Sequence, residues 1–423
     1  MKKCIGMFIL LYVVIATAIA ADSLPVKQSG VPEPQAQPLS NPTAAAPQLE
    51  AQQSVSRNDA TAPKVEEKET PQIPSGTIAD LGSKKEKVRL AAVGTLKTIG
   101  TQEAAAALIN ALGNTSAAVR LEVIKVLGDI KNTVAAAPIG KILKEDKEQK
   151  IRLAAADYFG RVGTKDDIPF LAAALGDKDM KVRMAALVGL DHVNAPEIIP
   201  AVSKALADKT VEMRLKALDV LVNTKSKLII APVKKALKDS DKEVRVKAIE
   251  SLGSIEDKEA LSALGDAIDD KDLDLRMQAM NALLANGDKT VIPALTRALK
   301  DQNIEMRMKS VVALGVIGDE AVMGPLVEAL NNSDRKVVKM TIKVLGALKN
   351  KKAVTPLLDK LESKKDEEIN FLIIEALGAM DERRALPAIV TELTQDETEK
   401  SGKAETIRTV IAAEIIKLQT ANH

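Results

Sequence analysis

Apolar positions alternate between two short stripes along most of the chain. In DSDKEVRVKAIESLGSIEDKEALSALGDAI (residues 239–268), Val244, Ala248, Ile249 and Leu252 fall at helical spacing, and Leu261, Leu264 and Ile268 do so again after a polar interruption. Spacing of three and four puts such side chains on one face of an α-helix. The stretch therefore predicts two amphipathic helices. Asp239 lies in the turn ahead of the first, where it can bind exposed backbone N–H groups. Gly253 suits the left-handed residue that closes a helix. In most copies the second helix opens on proline (Pro138, Pro169, Pro200, Pro232, Pro293, Pro325, Pro356 and Pro387), which is tolerated in a first turn because the missing N–H has no helical partner there.

The pattern repeats. Arg89, Arg120, Arg152, Arg183, Arg214, Arg245, Arg276 and Arg307 recur with a period of about 31 residues, and Val338 and Asn370 hold the next two places. Six positions before them stand Ser83, Asn114, Asp146, Asp177, Asp208, Asp239, Asp270, Asp301 and, ahead of Val338, Asn332. Eight positions after the arginine place a glycine often appears, as at Gly128, Gly160, Gly253, Gly315, Gly346 and Gly378.

A lone pair of such helices cannot bury its stripe on both sides, whereas stacked copies can. The fold expected is therefore all-α: an α-solenoid of about ten two-helix units from about Leu81 to Thr394. A last helix, Ala404 to Gln419, is expected to close the open end within a C-terminal segment 395–423. With helices about 8–10 Å apart, the array is an arc on the order of 90–100 Å long. The departures at Val338 and Asn370 predict looser or different packing near its end.

Composition narrows the picture. Apolar residues are 46% of the 423 and aromatics only 1%, so the core must be built from Ala, Leu, Val and Ile. Lys and Arg number 60 against 58 Asp and Glu, a balance that gives no reason to expect a polyanion as the main partner. Tyr158, Phe159, Phe170 and Phe371 are the only aromatics beyond the N-terminus, too few for base-stacking platforms, and no nucleic-acid partner is expected.

The N-terminal segment 1–20 carries two lysines, an apolar run from Ile5 to Ala20, and Ala18-Ile19-Ala20 ahead of a cut before Ala21. This reads as a secretory signal peptide, with an uncut anchor as the alternative and membrane contact only in that case. The run is short for a full span, which needs about 20 apolar residues. Cys4, the one cysteine, would leave with it. Residues 21–80, rich in Pro, Gln, Ala and Ser, show no apolar periodicity and read as a disordered linker. The chain is thus expected to be exported, to the periplasm, the cell envelope or the medium.

The recurring D-x-x-x-x-V-R-x-x-A-x-x-x-L-G, followed by an A-x-x-x-L-x-x-A-L helix, resembles HEAT repeats of the phycobilisome-lyase type over about residues 81–394. The resemblance implies a protein-binding scaffold in most members. A few relatives are enzymes: bilin lyases, and deoxyhypusine hydroxylase, which holds iron through His-Glu pairs. It also implies that aspartate and arginine form a ladder between successive units. The residues point the same way: a substrate site rarely needs eight arginines along a rod, while an interface between copies needs one apiece, and the guanidinium fork suits a neighbour's carboxylate or backbone oxygens.

Candidate chemistry is sparse. His192 and His423 are the only histidines, and Val193 follows His192, so the His-Glu iron pair is missing. His192 reads as a turn residue after a first helix. Cysteine and histidine nucleophile arrangements are hard to assemble, and Asp269-Asp270 reads as helix capping. No catalytic residue, metal, cofactor or small-molecule substrate is expected. The partner expected is another protein, and the exposed second-helix face is the candidate groove: Lys141, Lys204, Lys234, Lys235, Lys238 and Arg297 make its middle basic, while Glu328, Asp359 and Glu392 make its C-terminal part acidic. A tetrapyrrole lyase or isomerase, and a structural tether of the envelope, are the alternative functions.

Overall fold

In the computed structural model, residues 71–363, 366–380 and 387 are described. Ten first helices follow one another: Glu86–Ile99, Ala117–Asp129, Gln149–Val162, Met180–Val193, Val211–Asn223, Lys242–Gly253, Leu273–Asn286, Ile304–Ile317, Arg335–Leu348 and Glu367–Ala379. Between them run nine second helices: Gln102–Ala111, Ala136–Glu145, Ile168–Ala174, Ile199–Ala205, Ile230–Ala236, Lys258–Leu264, Ile292–Ala298, Met323–Ala329 and Val354–Ser363. Among the described residues there is no strand, and no helix is long and apolar enough to cross a membrane. The fold is an all-α solenoid.

Each first helix packs on the first helix of the next unit and on the second helix of the preceding unit. The stripes read from residues 239–268 face inward. Val244, Ala248, Ile249 and Leu252 are buried, as are Leu261, Leu264 and Ile268, and all belong to one continuous core. Leu, Val, Ile and Ala dominate that core. Its aromatic part is local: the Tyr158 and Phe159 rings meet edge-on at 5.2 Å between centroids, and Phe159 stacks with Phe170 at 6.1 Å. Most second helices begin as a short 3-10 turn, for example Lys227–Ile229 before Ile230–Ala236, and their prolines fall in the first α-helical turn.

The glycines eight positions after the arginine do not close the first helices. Gly253 lies inside its helix, and its neighbour Ser254 is right-handed. The left-handed residue comes three positions later, at Gly100 (φ 63°), Asn194 (φ 42°), Gly287 (φ 58°) and Gly318 (φ 60°), and also at Lys131, Lys225 and Lys349. In units eight and nine the earlier glycine serves close approach instead. A Cβ on Gly315 would lie 2.6 Å from Val344 Cγ1, and one on Gly346 would lie 2.9 Å from Ala376 Cβ in the following first helix.

Two further expectations change and a third narrows. Residues 71–80 are not all linker: Thr77–Asp80 forms one helical turn against the first helix of unit one, with Thr77 buried. Its Leu81 is buried at the place where most later second helices end on an apolar residue, so this turn is the tail of a second helix. Of looser or different packing near the end, the described residues show the second: Val338 and Asn370 are buried and the last described first helices are held close at Gly346. His192 belongs to the last turn of Met180–Val193 rather than to the turn beyond it. The expected signal peptide, residues 21–70 of the linker and the closing helix 404–419 lie outside the described residues.

Candidate functional site

The recurring arginine faces two ways at once. Its Nε and Nη2 donate to the carboxylate of the aspartate that opens the next unit, while Nη1 donates to the backbone carbonyl six positions before it in its own unit. The six pairs Arg120–Asp146, Arg152–Asp177, Arg183–Asp208, Arg214–Asp239, Arg245–Asp270 and Arg276–Asp301 have Nε···Oδ2 distances of 2.7–2.8 Å. For Arg245 the remaining contacts are Nη2 to Asp270 Oδ1 at 3.4 Å, and Nη1 to the carbonyls of Asp239 at 3.0 Å and Ser240 at 3.3 Å. Because Asp239 in turn holds Arg214, carboxylate and carbonyl of one residue bind two successive arginines, and the ladder is unbroken from Arg120 to Asp301.

The aspartates do not cap the first helices directly. Asp239 Oδ1 accepts the N–H of Asp241, and Asp241 is the N-cap that accepts from Glu243 and Val244. Each ladder carboxylate thereby fixes the turn before the helix and the neighbouring unit together. Burial alone would raise the Asp177 and Asp208 carboxyls. The Arg152 and Arg183 forks, with the N–H groups of Asp179 and Thr210, hold them below the usual carboxylate range.

At both ends of the ladder the acceptor is an amide. Asn114 stands where Arg89 would find a carboxylate, and Asn332 where Arg307 would. Asn114 directs its Nδ2 to the Leu81 carbonyl, and the carboxylate that Arg307 approaches in the next unit is Asp334, at 3.6 Å. In consequence Arg89 Nε and Arg307 Nε are buried without a hydrogen-bond partner.

The second-helix residues expected to form the groove do not act as one polarised strip. Lys141, Lys204, Lys234, Lys235, Arg297, Glu328 and Asp359 are all exposed on second helices, and Glu392 lies outside the described residues. Several are engaged between units, however. Lys234 pairs with Asp266 at 3.0 Å, Arg297 with Asp269 at 2.9 Å, and Glu328 with Lys300 at 2.8 Å. These staples join units five to eight, so the opposite charges there largely cancel. Lys141, Lys204, Lys235 and Lys238, all read from the sequence as basic positions of this face, have no ion-pair partner among the described residues, and neither do Lys144 and Lys209, which lie outside the positions the sequence singled out.

Two furrows between successive second helices and one cleft at the opposite end of the units shape the surface. A furrow of about 540 Å³ is lined by Lys141, Ile142 and Glu145 of one unit and by Ile109, Leu112 and Arg120 around the preceding turn. A second, about 370 Å³, lies between Val327, Leu330 and Asn331 and Pro356, Asp359 and Lys360. The cleft, about 1010 Å³, runs past the first-helix ends of units four to six and contains His192, Asn194, Val222 and Ser226. Asp191 and Val222 there hold, in units four and five, the place that is Gly315 and Gly346 in units eight and nine. No group of three His, Cys, Asp or Glu able to hold a metal ion occurs among the described residues.

The family model described as HEAT repeats matches residues 76–146, 136–221, 199–284, 266–342 and 323–409. No curated protein matches the chain. Among solved structures, an engineered protein is 18% identical, covering 72% of this chain and 98% of that one, with a TM-score of 0.37. The complex of CpcE and CpcF of phycocyanin lyase from Nostoc is 21% identical over 56% of this chain and 97% of that one, with a TM-score of 0.32. Human deoxyhypusine hydroxylase is 18% identical over 64% and 94%, with a TM-score of 0.26.

Proposed function

The chain belongs to the HEAT-repeat family, and from that premise we propose that it is an exported, non-catalytic scaffold that binds another protein along its second helices. The observation that carries the reading is a difference between the surfaces of the unit. The ladder edge is closed on itself: four of its arginines are buried, the others and the carboxylates are largely covered, and all are bonded to one another. The second helices instead present exposed lysines without ion-pair partners, and Lys141 among them lines a furrow deep enough to take side chains of a partner. Export rests on Lys2, Lys3, the apolar run and Ala18-Ile19-Ala20. The non-catalytic part rests on the residue inventory: six carboxylates are tied up in arginine forks, and His192 stands exposed on a helix end.

A photoreactive residue at Ala173 or Lys204, on second helices, is compared with one at Lys181 or Glu250, on the exposed side of first helices. Crosslinks to one envelope or secreted protein from the second-helix positions alone are expected. Crosslinks only from the first-helix positions would overturn the reading. The mass of the mature chain tests export: removal of residues 1–20 is expected, and an intact N-terminus would refute it.

A further inference from the structure

The unpaired lysines are not spread evenly, and their distribution defines the chemistry of the partner. From the second half of the second helix through the following turn, units two to five carry Lys141, Lys144, Lys204, Lys209, Lys235 and Lys238, all exposed and without ion-pair partners among the described residues. Asp146, Asp208 and Asp239, in the turns that follow these helices, are each largely covered and held by a ladder arginine. Asp241, in the same turn as Lys238, accepts the first N–H groups of its helix. Glu145 and Glu148 are the exposed acids that remain in unit two. On units five to eight three of the corresponding cations, Lys234, Arg297 and Lys300, are stapled to acids, and Lys271 is left without an ion pair among the described residues. The positive field on this face therefore comes mainly from units two to five.

We infer that this part of the second-helix face takes an acidic, extended segment of a protein, its carboxylates meeting Lys141, Lys204, Lys235 and Lys238 in register with the units. The inference rests on the reading of the second helices as the binding face and adds the sign and position of the partner's charge. Lys204 and Lys235 hold the same place in consecutive units. The ladder fixes the turns beside them, through Arg183 on the Asp208 carboxylate and Arg214 on that of Asp239, so the lysines are presented at the spacing of packed helices. Three unit steps of about 8–10 Å make a strip on the order of 30 Å, which an extended chain of about nine or ten residues spans. A peptide fits better than a nucleic acid. No aromatic of the described residues stands on this strip except Phe170, which is half-buried against the core, and acids are interspersed with the lysines.

The test uses the full chain and a fluorescein-labelled peptide of about twelve glutamates, long enough for the strip. Binding that weakens with added salt is expected, and a Lys204→Glu, Lys235→Glu, Lys238→Glu variant should bind about tenfold more weakly or worse. The matched variant Lys150→Glu, Lys181→Glu, Lys343→Glu, with the same change of net charge on first helices, should bind as the unmodified chain does. Equal losses in both variants, or no binding to the unmodified chain, would overturn the inference. So would tighter binding of a single-stranded or duplex oligonucleotide than of the peptide. A chain that crosslinks to its partner through second helices but ignores the peptide would sink this inference and leave the proposed function standing. A Lys→Gln version of the triple variant, checked by circular dichroism, separates loss of charge from loss of fold.

Discussion

Asn332→Asp should stabilise this solenoid, although it adds a charge to a half-buried site. In every complete rung an aspartate oxygen accepts from arginine Nε, whereas the amide at position 332 leaves Arg307 Nε buried without a partner. Arg307 keeps its Nη1 bonds to the carbonyls of Asp301 at 2.7 Å and Gln302 at 3.0 Å, so the guanidinium is already held in the rung orientation. A carboxylate at 332 meets a preformed fork and need not order it. A charge-assisted hydrogen bond contributes about 1.5–3 kcal/mol, and filling a buried unsatisfied donor removes a cost of similar size. Desolvation of the new carboxylate offsets part of this gain. A net of about 1–3 kcal/mol remains. With about 2.1 cal/mol/K of unfolding entropy per residue over roughly 300 residues, that is a rise of about 2–5 °C in the midpoint. The closeness of Asp334 is no obstacle, because Asp239 and Asp241, and Asp270 and Asp272, share the same spacing. Thermal and urea unfolding of Asn332→Asp, alone and with Arg307→Met, measure the effect. If Asn332→Asp fails to raise the midpoint, or raises it equally without Arg307, the account of the ladder is wrong. Asn114→Asp should gain less, since it also loses the donor to the Leu81 carbonyl.

Other perturbations follow from the same contacts. Arg245→Ala should cost about 3–5 kcal/mol by stranding the buried Asp270 carboxylate, and Arg245→Lys should recover little because an ammonium cannot fork; denaturant unfolding reads both, and a loss under about 1 kcal/mol counts against a structural rung. Gly253→Ala should stabilise by about 0.5–1 kcal/mol through helix propensity, because its Cβ would meet Ala282 Cβ at an ordinary 3.7 Å. Gly315→Ala, driven into the stiff Val344, should instead destabilise by about 1–3 kcal/mol, and equal outcomes for the two glycines would refute the close-approach role. The folded-state carboxyls of Asp177 and Asp208 titrate below their unfolded values, so their stabilisation is complete above the ordinary carboxylate range and is lost as pH falls through the depressed folded value. Asp208→Asn should accordingly be less stable at neutral pH and lose less on acidification, as midpoints between about pH 6 and pH 3 will show.

The two-helix unit, its period and its core were legible because packing repeats where sequence repeats. Val244, Ala248 and Leu252 declare their face by spacing alone. The glycine was legible as a residue but not as a role, since helix closure and close approach both demand glycine. Only the phase separates them: the eighth position after the arginine faces the next helix, and the eleventh turns left-handed, where Asn194 and Lys225 also serve. The groove was harder to read for a related reason. Whether Lys234, Arg297 and Glu328 are available depends on partners in adjacent units or turns, Asp266, Asp269 and Lys300, and no pattern confined to one unit contains those pairings.

The two kinds of position answer to different constraints. A ladder arginine serves two units, so its change disturbs both, and the repeat is held to Asp and Arg for that reason. An exposed second-helix residue without a partner disturbs neither unit, so stability places no demand on it. Lys204 and Lys235 occupy one register of the repeat, and Ala173 and Asn110 occupy the same register elsewhere. What distinguishes this array from any other built on the same rungs must therefore lie in such departures from the repeat. The regular positions state how the rod is held together, and the irregular ones state what it meets. The lysines of units two to five are the departures whose charge no neighbour in the described fold neutralises, and the search for a partner begins there.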